Sequence, residues 1–238
     1  MMLGINKAYC LCLDKREEHW LDLEKQCLSK GLEFNRFLVG DGNIFNKEEY
    51  DRIDVLMPKS ISWSYGGHTK DDDDERYIKK SKHYNAFLSH QSIAKKALED
   101  GDEKVLFLED DAYFTERFDE VVEKIETDVG NMEYDMLYLA WWIGDEGDDF
   151  NEDVENIWKE KGEFGIGKVK KIGGFHGVII SRKILDIITR LDPIDPVDSQ
   201  LSQFFHDKIE SYFIAPKIIH DKGIFSECEQ SIVERTKL

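Results

Sequence analysis

The chain has 238 residues, 41% of them hydrophobic, enough for one domain with a substantial core. Its 32 basic and 50 acidic residues leave a formal charge of −18. A chain this acidic repels phosphate backbones and anionic lipid, which argues against nucleic-acid partners and requires a local remedy for any anionic substrate. Met1–Leu13 lacks a basic start, a long apolar stretch and a cleavage site, so no signal peptide is expected, and no apolar run approaches the length of a membrane span. Cys10, Cys12, Cys27 and Cys228 contain no CxxC pair. Reduced, mostly buried thiols and a cytoplasmic location are expected, without zinc.

Ala8–Leu13 predicts a first strand that ends at Asp14-Lys15-Arg16. A helix over Glu17–Lys30 follows, with Trp20, Leu23, Cys27 and Leu28 on one face and Gly31 as its stop. Glu33–Val39 is a second strand, which makes a parallel β–α–β unit. Residues 43–80 are polar, and the run Asp71-Asp72-Asp73-Asp74-Glu75 reads as a solvated loop. A helix over Lys82–Glu99 carries Ala86, Phe87, His90, Ile93, Ala94 and Ala97 as an inward stripe. The strand Val105–Leu108 is followed by a helix over Phe118–Ile125, with Thr115 as its cap. Asp135–Trp142 is a further central strand, and Gly144–Glu155 an acidic loop or flap. Lys168–Ile172 and Gly177–Ile180 read as strands joined through Gly173-Gly174-Phe175-His176. A helix through Leu191, the rigid turn Asp192–Asp198 with two prolines, a helix over Ser199–Ile209 and a strand over Ser211–Ile219 complete the pattern. The expectation is one α/β domain spanning 1–238, with an antiparallel portion in its second half.

Four apolar residues, Val105-Leu106-Phe107-Leu108, run directly into Glu109, Asp110 and Asp111. Such a run is a strand buried on both faces, so the carboxylates emerge at its carboxyl end, where open α/β sheets bind ligands. Crowded carboxylates repel one another, and a hard divalent cation relieves this. The alternative is a solvated turn opening a helix. His90 on an apolar helix face is a core histidine or a site residue. His176 lies among glycines that permit close backbone approach to a ligand, or that make a tight hairpin. His220, beside Asp221 at a strand end, is a metal ligand or half of a surface pair. Asp198 is a helix cap or a general base held by the preceding prolines. Trp141 and Trp142 offer a sugar-stacking face or core packing. Gly162, Gly167 and Lys168 match a phosphate-loop spacing, but Val169 stands where such a loop needs Ser or Thr.

In order and spacing, these segments resemble glycosyltransferase family 25, the family of bacterial lipooligosaccharide sugar transferases and collagen galactosyltransferases. The residues that carry the resemblance are Leu11-Cys12-Leu13-Asp14-Lys15-Arg16, Val39-Gly40-Asp41-Gly42, Leu88-Ser89-His90-Gln91-Ser92-Ile93 and Phe107-Leu108-Glu109-Asp110-Asp111. Later come Gly174-Phe175-His176-Gly177-Val178-Ile179-Ile180-Ser181, Pro196-Val197-Asp198 and Ile214-Ala215-Pro216. Asn85-Ala86-Phe87 departs from the small residues usual before the leucine-serine-histidine, and the acidic insertions around Asp71 and Gly144 are unusual.

The resemblance implies a GT-A-type fold, a Rossmann-like mixed sheet flanked by helices. It implies inverting transfer of a hexose from a UDP-sugar, galactose or glucose, to a glycan or protein hydroxyl, with Mn2+ or Mg2+. Asp111 is then the metal ligand, Glu109 reaches the ribose or the metal, and Asp110 belongs to the donor site. The nucleoside lies near Leu11, Cys12, Asp14 and Asp41, with Ser89 and His90 on the phosphate or sugar side. Asp198 is the expected base. His220 as a further metal ligand is read from its strand-end position and not from the family. The competing readings are an inactive glycan-binding scaffold and a sugar-phosphate nucleotidyltransferase. The second usually has a glycine-rich first loop, and Ala8–Arg16 contains no glycine.

Overall fold

The computed structural model describes residues 2–39, 73–141, 165–168, 174–205, 207–222, 225–226 and 231–232. β1 (Lys7–Leu13) runs through a 3-10 turn (Asp14–Arg16) into α1 (Glu17–Ser29) and β2 (Glu33–Val39). α2 (Asp73–Glu99) leads to β3 (Lys104–Glu109), β4 (Ala112–Phe114) and α3 (Phe118–Gly130). Then follow β5 (Met136–Tyr138), β6 (Gly165–Lys168), β7 (Val178–Ser181), α4 (Arg182–Arg190) and α5 (Val197–Phe204). β8 (Ser211–Ala215), β9 (Ile219–Asp221) and the short β10 (Phe225–Ser226) and β11 (Ser231–Ile232) end the described chain.

Among the described residues the main sheet has the order β2-β1-β3-β7-β5-β8-β6. β2, β1 and β3 pair in parallel, β7 runs antiparallel to both β3 and β5, β5 and β8 are parallel, and β6 opposes β8. β1, β2, β3, β5 and β8 therefore end on one rim, where β6 and β7 begin. This is the expected mixed α/β sheet flanked by helices.

Period-two alternation splits the core into two layers. Ala8, Cys10, Cys12, Leu106 and Leu108 face α1 and α3, together with Trp20, Leu23, Cys27, Phe118, Val121 and Ile125. Tyr9, Val105 and Phe107 face the other way, onto Phe87, Ile93, Ala94, Ala97, Ile184, Leu185 and Ile188 of α2 and α4. The stripe read from the sequence of α2 is thus its packing face. Cys10, Cys12 and Cys27 are free, buried thiols, as expected. Leu28 is 59% exposed and does not share the inward face of α1.

Several boundaries differ from the sequence reading. α2 begins at Asp73, so part of the acidic run is helical, consistent with the preference of acids for a helix amino terminus. α5 starts at Val197, directly after Pro196, whose fixed φ favours a helix start. The strand expected over Ser211–Ile219 breaks in two, because Pro216 has no N–H for a sheet ladder. The strand expected over Asp135–Trp142 shortens to Met136–Tyr138, since Leu139 and Ala140 both donate to the Gly177 carbonyl at 2.9 Å and leave the ladder. Gly167 and Lys168 lie on β6, opposite Phe213 and Tyr212, which removes the phosphate-loop reading. Asp41, Trp142 and the expected flap Gly144–Glu155 lie outside the described residues.

Candidate active site

β3 delivers the acidic motif to the carboxyl rim. Glu109 is its last residue, half-buried, and opposite Leu11 in the β1–β3 register. Asp110 turns to the other side and is 4% exposed. Its Oδ2 accepts the Leu13 N–H at 2.8 Å, and its Oδ1 accepts Arg16 Nη1 at 3.0 Å. Both oxygens are thus committed to the turn that follows β1. The carboxylate expected in the donor site also braces this turn.

Asp111 is buried beside this turn, and its carbonyl accepts the Lys222 N–H at 2.8 Å. That bond extends a small antiparallel ladder in which Tyr113 pairs with His220 and Ala112 with Asp221. Ala112 and Phe114 face the core. By alternation, Asp111, Tyr113 and His220 share the opposite face. The Tyr113 and His220 rings lie 5.8 Å apart. Burial, and then the nearby Lys217, lowers the His220 pKa, so the imidazole is neutral and keeps a lone pair for a ligand at neutral pH. The β4–β9 ladder was not anticipated; its signal was the alternation Asp111-Ala112-Tyr113-Phe114.

The rim near β7 holds the remaining candidates. His90 is 8% exposed, with Phe175 at 5.0 Å and Phe107 at 6.2 Å between ring centres. Burial pushes its pKa down to about 4, against the opposing pull of Asp198, so it is neutral. Asp198 stands in the first turn of α5, half-buried, and its Oδ2 accepts the Gly174 N–H at 2.8 Å. Burial, with Asp198 adding its negative charge, raises the Tyr138 phenol well above its ordinary range. His90, Asp198 and the Gly174–His176 turn are therefore one neighbourhood, assembled from α2, α5 and the approach to β7.

The other sequence candidates divide. Leu11 is half-buried at the rim, and Asp14 is exposed in the 3-10 turn. The Cys12 side chain is fully buried against α1, so only its backbone can contribute to a ligand surface. The Ser89 hydroxyl donates to the Asn85 carbonyl at 2.7 Å within α2. Trp141 is a core residue: 3% exposed, with Nε1 donating to the Ile214 carbonyl at 2.8 Å. Among the described residues, no group of three or more His, Cys, Asp or Glu side chains forms a ready-made metal cage. A magnesium- or manganese-type site does not require one, because one or two carboxylates suffice when substrate phosphates and water complete the shell.

A cleft of about 690 Å3 opens on the opposite rim, lined by residues that include Lys104, Tyr134, Asp135 and Arg182. Its charges pair with one another, Lys183 with Asp135 at 2.6 Å and Arg182 with Glu103 at 4.0 Å. None of the candidate residues lines it.

No curated protein matches the sequence. Among solved structures, A197 from STIV aligns over 98% of this chain and 96% of its own, at 10% identity and a TM-score of 0.44. A glycosyltransferase involved in the glycosylation of the major capsid of PBCV-1 aligns over 94% and 86%, at 10% identity and a TM-score of 0.46. UDP-glucose pyrophosphorylase complexed with UDP-glucose aligns over 88% and 89%, at 8% identity and a TM-score of 0.44. Likenesses this distant say nothing about individual residues. The family model described as "Glycosyltransferase family 25 (LPS biosynthesis protein)" matches residues 6–162. That span takes in β1, the inward stripe of α2 and the acidic motif of β3, the elements that build the rim, and the chain belongs to glycosyltransferase family 25.

Proposed function

We propose that this glycosyltransferase moves a hexose, galactose or glucose, from a UDP-sugar to a glycan or protein hydroxyl, inverting the anomeric centre, with Mn2+ or Mg2+ at Asp111. The observation that carries the reading is the register of β4 with β9. It sets Asp111 and His220 on one face, at the end of the strand that carries Glu109.

Asp111, Glu109 and His220 do not meet as one cluster among the described residues, so the Asp111 carboxylate would hold a hard cation with donor phosphates and water completing the shell. When bound, the cation would offset the charge of the donor phosphates and of the departing diphosphate, which this acidic chain would otherwise repel. The protein's own residues would do the rest. The β1 turn, braced by Asp110, would present Leu11 and the backbone of Cys12 and Leu13 to the nucleoside. Asp198 would accept the proton of the attacking hydroxyl from the face opposite the leaving group. Neutral His90, backed by the buried Phe175 ring, would line the sugar side without adding charge.

The test is release of UDP from UDP-galactose and UDP-glucose by the purified protein, with water as the default acceptor. The expected result is slow release that depends on Mn2+ or Mg2+ and stops with EDTA. Protein that binds neither donor nor UDP in the presence of Mn2+ would refute the reading. Donor binding without any turnover would favour the inactive scaffold. Release of hexose 1-phosphate from either UDP-sugar in the presence of pyrophosphate would favour the nucleotidyltransferase.

A further inference from the structure

The Gly174–His176 turn is locked more tightly than a connecting loop requires. Gly174 has a φ of +94°, a region that L side chains rarely adopt. A Cβ there would lie 2.7 Å from His176 Nδ1 and 2.8 Å from its Cε1. His176 is 2% exposed. Phe175 packs against His90 at 5.0 Å and Phe107 at 5.6 Å, and the Gly177 carbonyl holds two N–H groups. The turn reaches α5 through the Gly174 N–H, 2.8 Å from Asp198 Oδ2.

We infer that the Gly174–His176 turn is a positioning device for Asp198: the Gly174 N–H holds Oδ2, which leaves Oδ1 for the acceptor hydroxyl, and the His176 imidazole keeps Gly174 in the conformation from which its N–H reaches. The inference rests on the reading of Asp198 as the base. A carboxylate with neither oxygen held rotates among orientations, most of them unproductive for proton transfer. Fixing one oxygen selects the productive one before the substrate arrives. Gly174 and His176 are then positioning residues that act only through Asp198.

The experiment places Gly174→Ala, His176→Ala and the double variant in two backgrounds, wild type and Asp198→Asn. UDP release from UDP-galactose and UDP-glucose with Mn2+ gives the rate, and calorimetry with UDP and Mn2+ gives the affinity. In the wild-type background each variant is expected to slow release at least tenfold with UDP affinity unchanged. In the Asp198→Asn background the same changes are expected to cost nothing further, because residues that act as a unit are not additive. An equal fold-loss in both backgrounds, or a loss of UDP affinity in proportion to the rate, would overturn the inference. If Gly174→Ala does not fold, His176→Ala, which keeps the glycine, carries the test. A slow Asp198→Asn protein beside a fully active His176→Ala protein overturns the positioning role alone. An Asp198→Asn protein as fast as wild type overturns the base assignment and this inference with it.

Discussion

Asp110→Ala tests whether the middle acid of the motif serves structure or ligand. Its carboxylate side chain is 5% exposed and that of its partner Arg16 13%. Breaking a buried pair by removing one partner costs ~3–5 kcal/mol, and the small residual exposure of Arg16 places this pair at the lower end, about 3 kcal/mol. The Leu13 N–H also loses its acceptor, a cost contained in the same figure because the two contacts share one carboxylate. For a chain of this length, about 2–4 °C of melting temperature goes with each kcal/mol, so a fall of roughly 6–12 °C is expected. Urea unfolding at neutral pH measures the free energy directly. The double variant Asp110→Ala/Arg16→Met removes both members of the buried pair and is expected to be more stable than Asp110→Ala alone. Affinity for UDP should fall in the single variant, because the turn after β1 loses its brace. A loss below about 1 kcal/mol, the value of a surface ion pair, or strict additivity in the double variant would refute the bracing role.

Three further outcomes are expected. Asp111→Asn should abolish UDP release and weaken Mn2+-dependent UDP binding, with a melting temperature close to wild type; an active Asp111→Asn enzyme removes the metal assignment. The unfolded chain takes up the His90 proton near the ordinary 6.5, the folded chain only near about 4. The stability from neutral His90 is therefore whole above pH 6.5 and lost as pH falls from 6.5 towards 4, by about 3 kcal/mol at ~1.4 kcal/mol per pH unit. His90→Gln should flatten that slope in melts across the window, and an unchanged slope would contradict it. Gly177→Ala brings a methyl 2.8 Å from Ala140 Cβ and 3.0 Å from Ile219 Cγ2, an overpacking expected to destabilise by about 1–3 kcal/mol in urea titrations. Neutral stability in that variant would show that the β7 approach yields easily.

Local pattern was enough for much of this molecule. The alternation of Val105–Leu108 between two apolar layers, the parallel β1–α1–β2 unit and the inward stripe of α2 follow from side-chain periodicity, because burial on one face or two leaves a signature within a few residues. Family membership was legible because the order and spacing of short motifs along the chain carry it. The brace that Asp110 makes was not legible, because sequence order says nothing about which neighbour a buried carboxylate meets. Only the parallel pairing of β1 with β3 brings Arg16 to it across 94 positions. The pairing of Tyr113 with His220 is equally long-range and follows from a ladder no local propensity specifies.

Residue types and their spacing pointed to the family and to its candidate groups: acids at a sheet rim, an aspartate behind two prolines, a histidine on an apolar helix face. The folded arrangement alone decided which acid braces a loop, which lies beside the β4–β9 ladder, and that one glycine N–H reaches Asp198. Periodicity is a property of neighbours along the chain, whereas a hydrogen bond between distant segments exists only once packing has brought them together.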